Sequence, residues 1–262
     1  ENILTLAVKD RTEQAPYARG KQKLAKKGKY ASLFYTPQSG IWKTVWLESV
    51  EENYIKSFRI TPVFDSSSVR FHVIPLKKGE PISIEILDGF TRIVQGQADM
   101  DGHAEFFIPE MIPWTPDNPH LYDVRIQMGK DIVQSYFGMR KISTGRDKNG
   151  ILRFFLNNRP IFFNGILDQG YWPESLLTPP SDEALMHDIL TLKSLGFNTI
   201  RKHIKIESDR FYYHCDKLGM LVWQDMPNGG GDYNMIFVTY LANAFDWFAR
   251  GVRDSHYRLF KR

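Results

Sequence analysis

Polar residues end three short apolar segments of the sequence, and two aromatic residues follow the first segment closely. Hydrogen-bonding groups beside aromatic rings are what a pocket needs in order to hold a sugar ring. The residues at the segment ends are Asn164 and Gly165, then Arg201, Lys202 and His203, then Gln224 and Asp225. The first connecting segment adds Asp168, Gln169, Tyr171 and Trp172. We predict that a carbohydrate contacts six of these residues: Asp168, Tyr171, Trp172, Arg201, His203 and Asp225.

Each of these residues also has a structural interpretation. Asp225 suits the N-cap of a following helix, or it can form an ion pair with Arg201. A histidine in the position of His203 is more often a hydrogen-bonded structural residue than a ligand contact, and the two aromatic residues can pack on a neighbouring domain. Glu207 fits the approach to a helix, although its position keeps it within reach of the site.

Motifs for metal, nucleotide and serine-nucleophile chemistry are missing from the sequence. The seven histidines are scattered without HExxH spacing, and there is no GxSxG. The glycine-rich stretch 228–233 has no GxxxxGK, so we interpret it as a loop over the sheet. The single cysteine, Cys215, can build neither a disulfide nor a thiolate zinc site, and it fits a small core position. We predict no metal and no cofactor.

Composition favours a globular protein without a nucleic-acid partner. The net charge is +4, and much of the excess lies in the basic stretch 19–30, which we interpret as a solvated loop. A nucleic-acid patch there is the alternative, and it predicts a steep salt dependence of DNA affinity. Aromatic residues make up 14% of the chain, which suits sugar stacking or large β-sheet cores.

The 262 residues contain neither a membrane-spanning segment nor an export signal. No apolar run reaches the ~20 residues that span a bilayer. The first ten residues lack the pattern of a signal peptide, so we expect no membrane association, and the sequence assigns no compartment. Those residues resemble the middle of a strand and carry no initiator Met, so we expect the chain to be a piece of a longer protein.

Alternating apolar and polar residues predict antiparallel strands up to about Met139. The apolar positions are Val69, Phe71 and Val73; Ile82, Ile84 and Ile86; and Tyr122, Val124, Ile126 and Met128. Turn signals such as Asp88-Gly89 recur at the spacing of a β-sandwich, so residues 53–142 are predicted to form one immunoglobulin-like sandwich. Residues 1–52 supply too few strands to close a sandwich of their own.

From residue 143 to 262 the pattern changes to strands alternating with helices. A hairpin with its turn at Asn157-Asn158 comes first. The predicted helix starts are Ser181 and then Ser208 or Asp209, and the predicted stops are Gly196 and Gly219. Short apolar strands joined by helices predict a parallel sheet with both faces covered. Because ligands bind at the carboxyl ends of such strands, the polar residues above are well placed for chemistry. Residues 235–260 are also predicted to be helical.

Five stretches in this order resemble glycoside hydrolase family 2, the group of β-galactosidases, β-glucuronidases and β-mannosidases. They are "YTPQSGIWKTVWLE" (35–48), "PWTPDNPHLYDV" (113–124), "FGMRKI" (137–142), "FFLNNRPIFFNGILDQGYWPE" (154–174) and residues 195–227, which open with "LGFNTIRKHIKIES" and close with "LGMLVWQDMP". The resemblance implies the C-terminal part of a jelly-roll sugar-binding domain over 1–52. It also implies an immunoglobulin-like β-sandwich over 53–142 and the first part of a (β/α)8 TIM barrel over 143–262.

The resemblance implies a retaining β-glycosidase that uses two glutamates, neither of which can be named here. The family's acid/base glutamate lies in an Asn-Glu pair after the fourth barrel strand, and the nucleophile follows the seventh. This sequence has no Asn-Glu dipeptide and is predicted to hold three barrel strands, so we expect it to be inactive alone. Because Phe162, Ile200 and Val222 expect barrel neighbours on both sides, we predict that the chain either self-associates through this apolar face or carries further residues.

The residues after the second barrel strand depart from the family pattern. Many members have Arg, any residue, Ser, His, an aromatic residue and Pro, whereas this chain has Arg201-Lys202-His203-Ile204-Lys205. The shifted position of His203 leaves the choice of sugar open. Asp225 fits the family better and is expected to shape the sugar pocket. The alternative function is a non-catalytic carbohydrate-binding or adhesive β-sandwich protein.

Overall fold

The computed structural model describes residues 3–10, 18–24 and 33–227. The predicted glycine-rich loop at 228–233 and the predicted helix at 235–260 lie outside the described residues, as does much of the basic stretch. The chain divides into an antiparallel β-sandwich, a small hairpin sheet and a parallel unit of strands and helices.

The sandwich consists of seven strands in two sheets, as the alternating sequence pattern predicts. The strands are β1 (Ile55–Val63), β2 (Ser68–Pro75), β3 (Ile82–Asp88), β4 (Thr91–Gln97), β5 (His103–Phe107), β6 (Tyr122–Met128) and β7 (Asp131–Phe137). One sheet has the order β1-β2-β5 and the other β4-β3-β6-β7, and all neighbouring strands are antiparallel.

The core of the sandwich lies between the two sheets. Alternate side chains of β2, β3 and β6 point into it because successive residues of a strand face opposite sides. The buried apolar residues of these strands are Val69, Phe71, Val73, Ile82, Ile84, Ile86, Tyr122, Val124, Ile126 and Met128. These are the ten apolar positions of the predicted strands, so the predicted core is confirmed.

A three-stranded sheet joins the sandwich to the parallel unit. Its strands are β8 (Ile142–Arg146), β9 (Leu152–Leu156) and β10 (Arg159–Ile161), in the order β10-β9-β8. Asn157 and Asn158 form the turn between β9 and β10 with φ of 52° and 63°. Both angles lie in the left-handed region that a two-residue hairpin turn requires and that asparagine tolerates, so the predicted turn is confirmed.

The parallel unit alternates strands and helices. Its elements are β11 (Gly165–Asp168), α1 (Asp182–Ser194), β12 (Thr199–Lys202), α2 (Asp209–Leu218) and β13 (Leu221–Gln224). The sheet order is β11-β12-β13, with both pairs parallel. Ser181 caps α1, Ser208 precedes α2, and Gly219 ends α2 with φ of 78°, in agreement with the predicted helix ends.

The first parallel strand lies four residues later than the sequence pattern suggested. Asn164 was predicted at the carboxyl end of this strand, but it precedes β11 and its side-chain amide donates to the carbonyl oxygen of Gly196. Asp168 is the residue that ends the strand. The apolar run at 161–163 was misleading, because β10 stops at Ile161 and the chain then crosses to the new sheet.

The sandwich and the parallel unit meet at Asp216 on α2. Its carboxylate lies 2.6 Å from the Arg140 guanidinium and 3.1 Å from the Tyr136 hydroxyl oxygen, which donates to it. Its backbone carbonyl accepts a 2.7 Å hydrogen bond from the indole nitrogen of Trp114, a fully buried residue. Three sandwich side chains thus converge on one helical residue.

The described parts of residues 1–52 contain no strand, only an isolated bridge between Gln22 and Tyr35. The predicted jelly-roll portion therefore stays a prediction. No helix in the described part of the chain is long and apolar enough to cross a membrane.

Candidate functional site

Polar residues lie at the carboxyl ends of the three parallel strands, some on one face of the sheet and some on the other. Asp168, Lys202 and Gln224 lie side by side in the strand register. They share a face with Ile200, which packs against α1 and α2. Leu167, Arg201 and Trp223 alternate with them, so these side chains lie on the opposite face, which we call the inner face.

Lys202 is the centre of a buried charge network on the helix side. Its ammonium lies 2.5 Å from an Asp168 carboxylate oxygen and 3.0 Å from a Glu207 carboxylate oxygen, and 4.3 Å from the centre of the Phe211 ring. Lys202 and Glu207 are each only 1% exposed. Because a buried charge is costly unless paired and hydrogen-bonded, Asp168 and Glu207 are needed to hold the ammonium there.

Lys205 extends this network into the loop that follows β11. Its ammonium donates to Glu207 at 2.7 Å and to the backbone oxygens of Gly170 and Leu177, near the two ends of the loop. Burial lowers the pKa of Lys205, and the adjacent Glu207 carboxylate acts against that shift. Lys205 therefore fixes the loop that carries Tyr171 and Trp172.

Gly170 is required at the start of this loop. Its φ of 66° lies in the left-handed region, and an added Cβ would lie 2.3 Å from a Glu207 carboxylate oxygen. Its backbone N–H donates to the Asp168 carboxylate at 2.7 Å. Asp168 was predicted as a sugar contact, but one of its carboxylate oxygens accepts from the Lys202 ammonium and the other accepts from the Gly170 N–H.

The inner face carries a separate ion pair between Arg201 and Asp225. The guanidinium donates from two nitrogens, each 2.9 Å from the same Asp225 oxygen. The predicted pairing is therefore confirmed. The Arg201 side chain is 56% exposed and that of Asp225 is 16% exposed, so the guanidinium remains open to solvent.

Gln224 joins α2 to the loop after β12. Its side-chain oxygen accepts a 2.6 Å hydrogen bond from the Tyr212 hydroxyl, and its nitrogen donates to the backbone oxygens of Lys205 and Asp225. At this strand end Gln224 therefore forms hydrogen bonds on the helix side, and the next residue, Asp225, forms its ion pair on the inner face.

Two further predicted contacts, Tyr171 and Trp172, lie around a cleft on the helix side. The Tyr171 ring stacks on Tyr35 with ring centres 4.0 Å apart, and Trp172 packs against the core shared by α1 and α2. Both line a cleft of about 520 Å³, together with Asp168. Burial raises the pKa of Tyr171. The Nδ1 atom of His203 and the Nε1 atom of Trp172 are buried without a hydrogen-bond partner among the described residues.

The predicted site residues thus separate into two groups. Asp168, Tyr171 and Trp172 lie on the helix side, whereas Arg201 and Asp225 lie on the inner face. The sixth, His203, follows β12, and its backbone N–H donates to the backbone oxygen of Asp168 at 2.8 Å. Lys202 was noted in the sequence only as a strand-end residue, and Lys205 was not singled out. The alternation that places Lys202 beside Ile200 on the helix side is the signal that could have revealed its burial.

The two carboxylates of the network cannot act as a glycosidase acid and nucleophile. Retaining hydrolysis needs one accessible carboxylic acid and one accessible carboxylate about 5 Å apart. Asp168 and Glu207 instead share one lysine, and Glu207 is buried. Within residues 3–10, 18–24 and 33–227, no group of three or more His, Cys, Asp or Glu residues could hold a metal ion.

Comparison with known proteins gives one family-model match and several similar proteins. The model of glycosyl hydrolases family 2 matches residues 53–140, which contain all seven strands of the sandwich. A β-glucuronidase of Streptococcus agalactiae serotype V is 25% identical over 179 residues, which are 66% of this chain and 28% of that protein. A β-galactosidase of Actinobacillus pleuropneumoniae is 25% identical over 187 residues, which are 69% of this chain and 18% of that protein.

Among solved structures, the β-glucuronidase of Faecalibacterium prausnitzii matches with a TM-score of 0.60 and 23% identity. The match covers 69% of this chain and 29% of that one, and at this identity it shows the fold alone. The chain spans less than a third of the length of these relatives. Each match covers more residues than positions 1–142 contain, so the likeness continues beyond the sandwich. The sandwich of this chain is therefore similar to the glycosyl hydrolases of family 2, and the likeness to a β-glucuronidase and a β-galactosidase extends beyond the sandwich.

Proposed function

We propose that this chain is part of a retaining β-glycosidase, in which the sandwich supports the first three strands of a (β/α)8 barrel. The observation that carries the proposal is the parallel sheet β11-β12-β13, which follows the family-matched sandwich and has polar residues at its carboxyl ends. In barrels of this type the substrate lies at that end of the strands. The named relatives, a glucuronidase and a galactosidase, support a carbohydrate substrate.

In this proposal the Arg201–Asp225 pair forms one wall of the sugar pocket. The inner face of the sheet becomes the inside of the barrel, and the exposed guanidinium then faces the substrate. Asp225 fixes Arg201 through both of its carboxylate oxygens, so the exposed guanidinium is the group of this pair that is offered to a sugar hydroxyl. The network of Lys202, Lys205 and Glu207 has the supporting role of holding the loop after β11.

We further propose that these 262 residues do not hydrolyse glycosides by themselves. Two accessible carboxylates have to flank the glycosidic bond. Asp168 and Glu207 are neutralised by lysines, and Asp225 pairs with Arg201. The chain then contributes to substrate binding, and the chemistry belongs to residues of later barrel strands.

The test is a hydrolysis assay of the purified chain with nitrophenyl β-galactoside, β-glucoside, β-mannoside and β-glucuronide. We expect release of nitrophenol at the buffer rate. Release above that rate, if it is lost in Asp225→Asn or Glu207→Gln, would overturn the proposal. Asp123→Asn, which changes an exposed carboxylate on β6, is the matched control.

A second arm uses the polypeptide encoded by the same gene with the codons that follow Arg262. We expect further apolar strands, an Asn-Glu pair after one of them, and glycosidase activity. Because displacement of a pocket wall by about 1 Å can cost 10²-fold, Asp225→Asn should lower kcat/KM by about 10- to 100-fold. A stop codon directly after Arg262, or a second sandwich in place of strands, favours the non-catalytic carbohydrate-binding protein.

A further inference from the structure

Two histidines face each other on the outer surface of the sandwich, far in sequence from the site described above. His72 on β2 lies directly opposite His103 on β5 in the strand register. Their rings are nearly parallel, with centres 4.2 Å apart and planes at 11°. His72 alternates with the buried residues Phe71 and Val73, so both rings lie on the solvent face of the sheet.

His72 and His103 form a non-hydrogen-bonded cross-strand pair, the type in which opposite residues lie closest together. The His103 N–H donates to the Asp99 carboxylate, and the His103 carbonyl accepts from the Asp99 N–H, both at 2.8 Å. The backbone N–H and the carbonyl oxygen of His103 therefore do not form hydrogen bonds with His72. Opposite residues of such a non-hydrogen-bonded pair have Cα atoms about 4.5 Å apart, which brings their side chains closer than in the alternate pairs.

The chain entering β5 is held tightly next to this pair. Gly102 has a φ of 83°, and an added Cβ would lie 2.0 Å from the carbonyl oxygen of Val73. The Val73 N–H donates to the Gly102 carbonyl at 2.8 Å. The positions of the two histidines are thus fixed by main-chain contacts on both strands and do not depend on their stacking.

The charges around the two rings are mixed in sign. Arg59 lies opposite His72 on β1 in the strand register. The turn before His103 carries Asp99 and Asp101, and the Asp101 carboxylate forms a 2.8 Å ion pair with Lys78. Since the acidic turn lies beside His103, it offsets the repulsion that the arginine exerts on a cation.

We propose that His72 and His103 form a two-ligand site for a transition-metal ion of the Zn²⁺, Ni²⁺ and Cu²⁺ class. Imidazole nitrogens suit these ions, and Cu²⁺ binds such ligands most tightly. Two metal–nitrogen bonds of about 2.0–2.1 Å in a tetrahedral site place the nitrogens about 3.3 Å apart. In the stacked arrangement the nitrogen lone pairs lie in two nearly parallel planes, so metal binding requires both rings to rotate about their Cβ–Cγ bonds until two nitrogens converge on the ion.

The ion keeps water or a further ligand in its other positions, because the described residues contain no third protein ligand that completes a metal cluster. Binding joins β2 to β5, which is an edge strand of its sheet. A bound ion therefore stabilises the part of the sandwich where strand pairing is open on one side.

Calorimetric titration of the 262-residue chain with ZnCl₂ tests this site. We expect one bound equivalent, and His72→Gln and His103→Gln should each weaken it about tenfold or more, since loss even of an outer-shell partner costs that much. The matched control is His187→Gln, which changes an exposed histidine on α1 and should leave the affinity unchanged. The thermal midpoint should rise with Zn²⁺ in the native chain and in this control alone.

A measurement on the unmodified chain covers the case in which a substitution disturbs folding. Substoichiometric Cu²⁺ should broaden the ring NMR signals of His72 and His103 before those of the other histidines. The proposal is overturned if another histidine broadens first, if both glutamine variants bind Zn²⁺ as the native chain does, or if no binding occurs up to about 1 mM.

Discussion

At the scale of single residues, the helix side of the parallel sheet depends on two buried lysines. Lys202 and Lys205 neutralise Asp168 and Glu207, and Lys205 also binds two backbone oxygens of the loop after β11. A sequence pattern does not single out such residues, because lysine is almost always exposed and gains its role here from partners up to 35 positions away.

Lys205→Met should therefore destabilise the chain strongly. The change keeps an unbranched side chain but leaves Glu207 with one lysine in place of two and two backbone oxygens without their donor. Breaking a buried ion pair in this way costs about 3–5 kcal/mol. Urea unfolding measures the loss, with Lys217→Met on the exposed face of α2 as the control, expected within about 0.5 kcal/mol. A loss below about 1 kcal/mol for Lys205→Met would show that the network is not needed for stability.

At the scale of elements, the two helices begin in the same way in the sequence but differ in the structure. The Ser181 hydroxyl oxygen accepts a hydrogen bond from the Ala184 N–H at 3.2 Å. Ser208 precedes α2 with a similarly extended backbone, yet its hydroxyl is buried and has no hydrogen-bond partner among the described residues. Only the first serine acts as a cap, a difference that the residue types alone do not show.

Ser181→Ala should lower the free energy of unfolding by about 1 kcal/mol, because an N–H of the first turn of α1 loses its acceptor. Ser208→Ala is the matched comparison and should be neutral or slightly stabilising, because it removes an unpaired buried hydroxyl. Chemical unfolding of both variants compares them directly. Equal losses in the two variants would contradict the assignment of the caps.

Some elements of this fold are predictable from the sequence, whereas the position of the first parallel strand is not. The period-two strands of the sandwich, the Asn157-Asn158 turn and the helix ends follow from local chemistry, and the structure confirms them. The first parallel strand was misplaced, because Ile161, Phe162 and Phe163 are as apolar as a strand and only sheet pairing decides where the strand lies. For the candidate site, the sequence found the strand ends but not which face each side chain occupies.

At the scale of the whole molecule, the sandwich is coupled to the parallel unit through Asp216. Its contacts to Tyr136 and Arg140, and that of its carbonyl to Trp114, link positions that are 76 to 102 residues apart in the chain. Long-range contacts of this kind have no signature in a single sequence. Of the residues predicted to form a bare face, Phe162 is exposed, but Ile200 is buried and Val222 packs against the core of the two helices. Self-association stays a prediction.

Asp216→Asn should weaken this coupling without altering either unit. The amide keeps the shape of the carboxylate but loses the charge that binds Arg140, and a hydrogen bond to a charged group contributes about 1.5–3 kcal/mol. We expect one calorimetric unfolding transition for the native chain, and a broader transition or two separate ones for the variant. The exposed Asp209→Asn on the same helix is the control, and a variant that unfolds like this control would contradict the assigned role of Asp216.

The two faces of β12 also determine which kinds of genetic change this segment tolerates. Arg201 pairs with Asp225 on one face, and its neighbour Lys202 pairs with Asp168 and Glu207 on the other. One codon inserted or deleted before these two residues would move each side chain to the other face of the strand. Arg201 and Lys202 would then each be separated from the carboxylates with which they pair. A replacement disturbs one ion-pair set, whereas a change of one codon in length disturbs both, so codons 199–202 should keep a fixed length even where their residues vary.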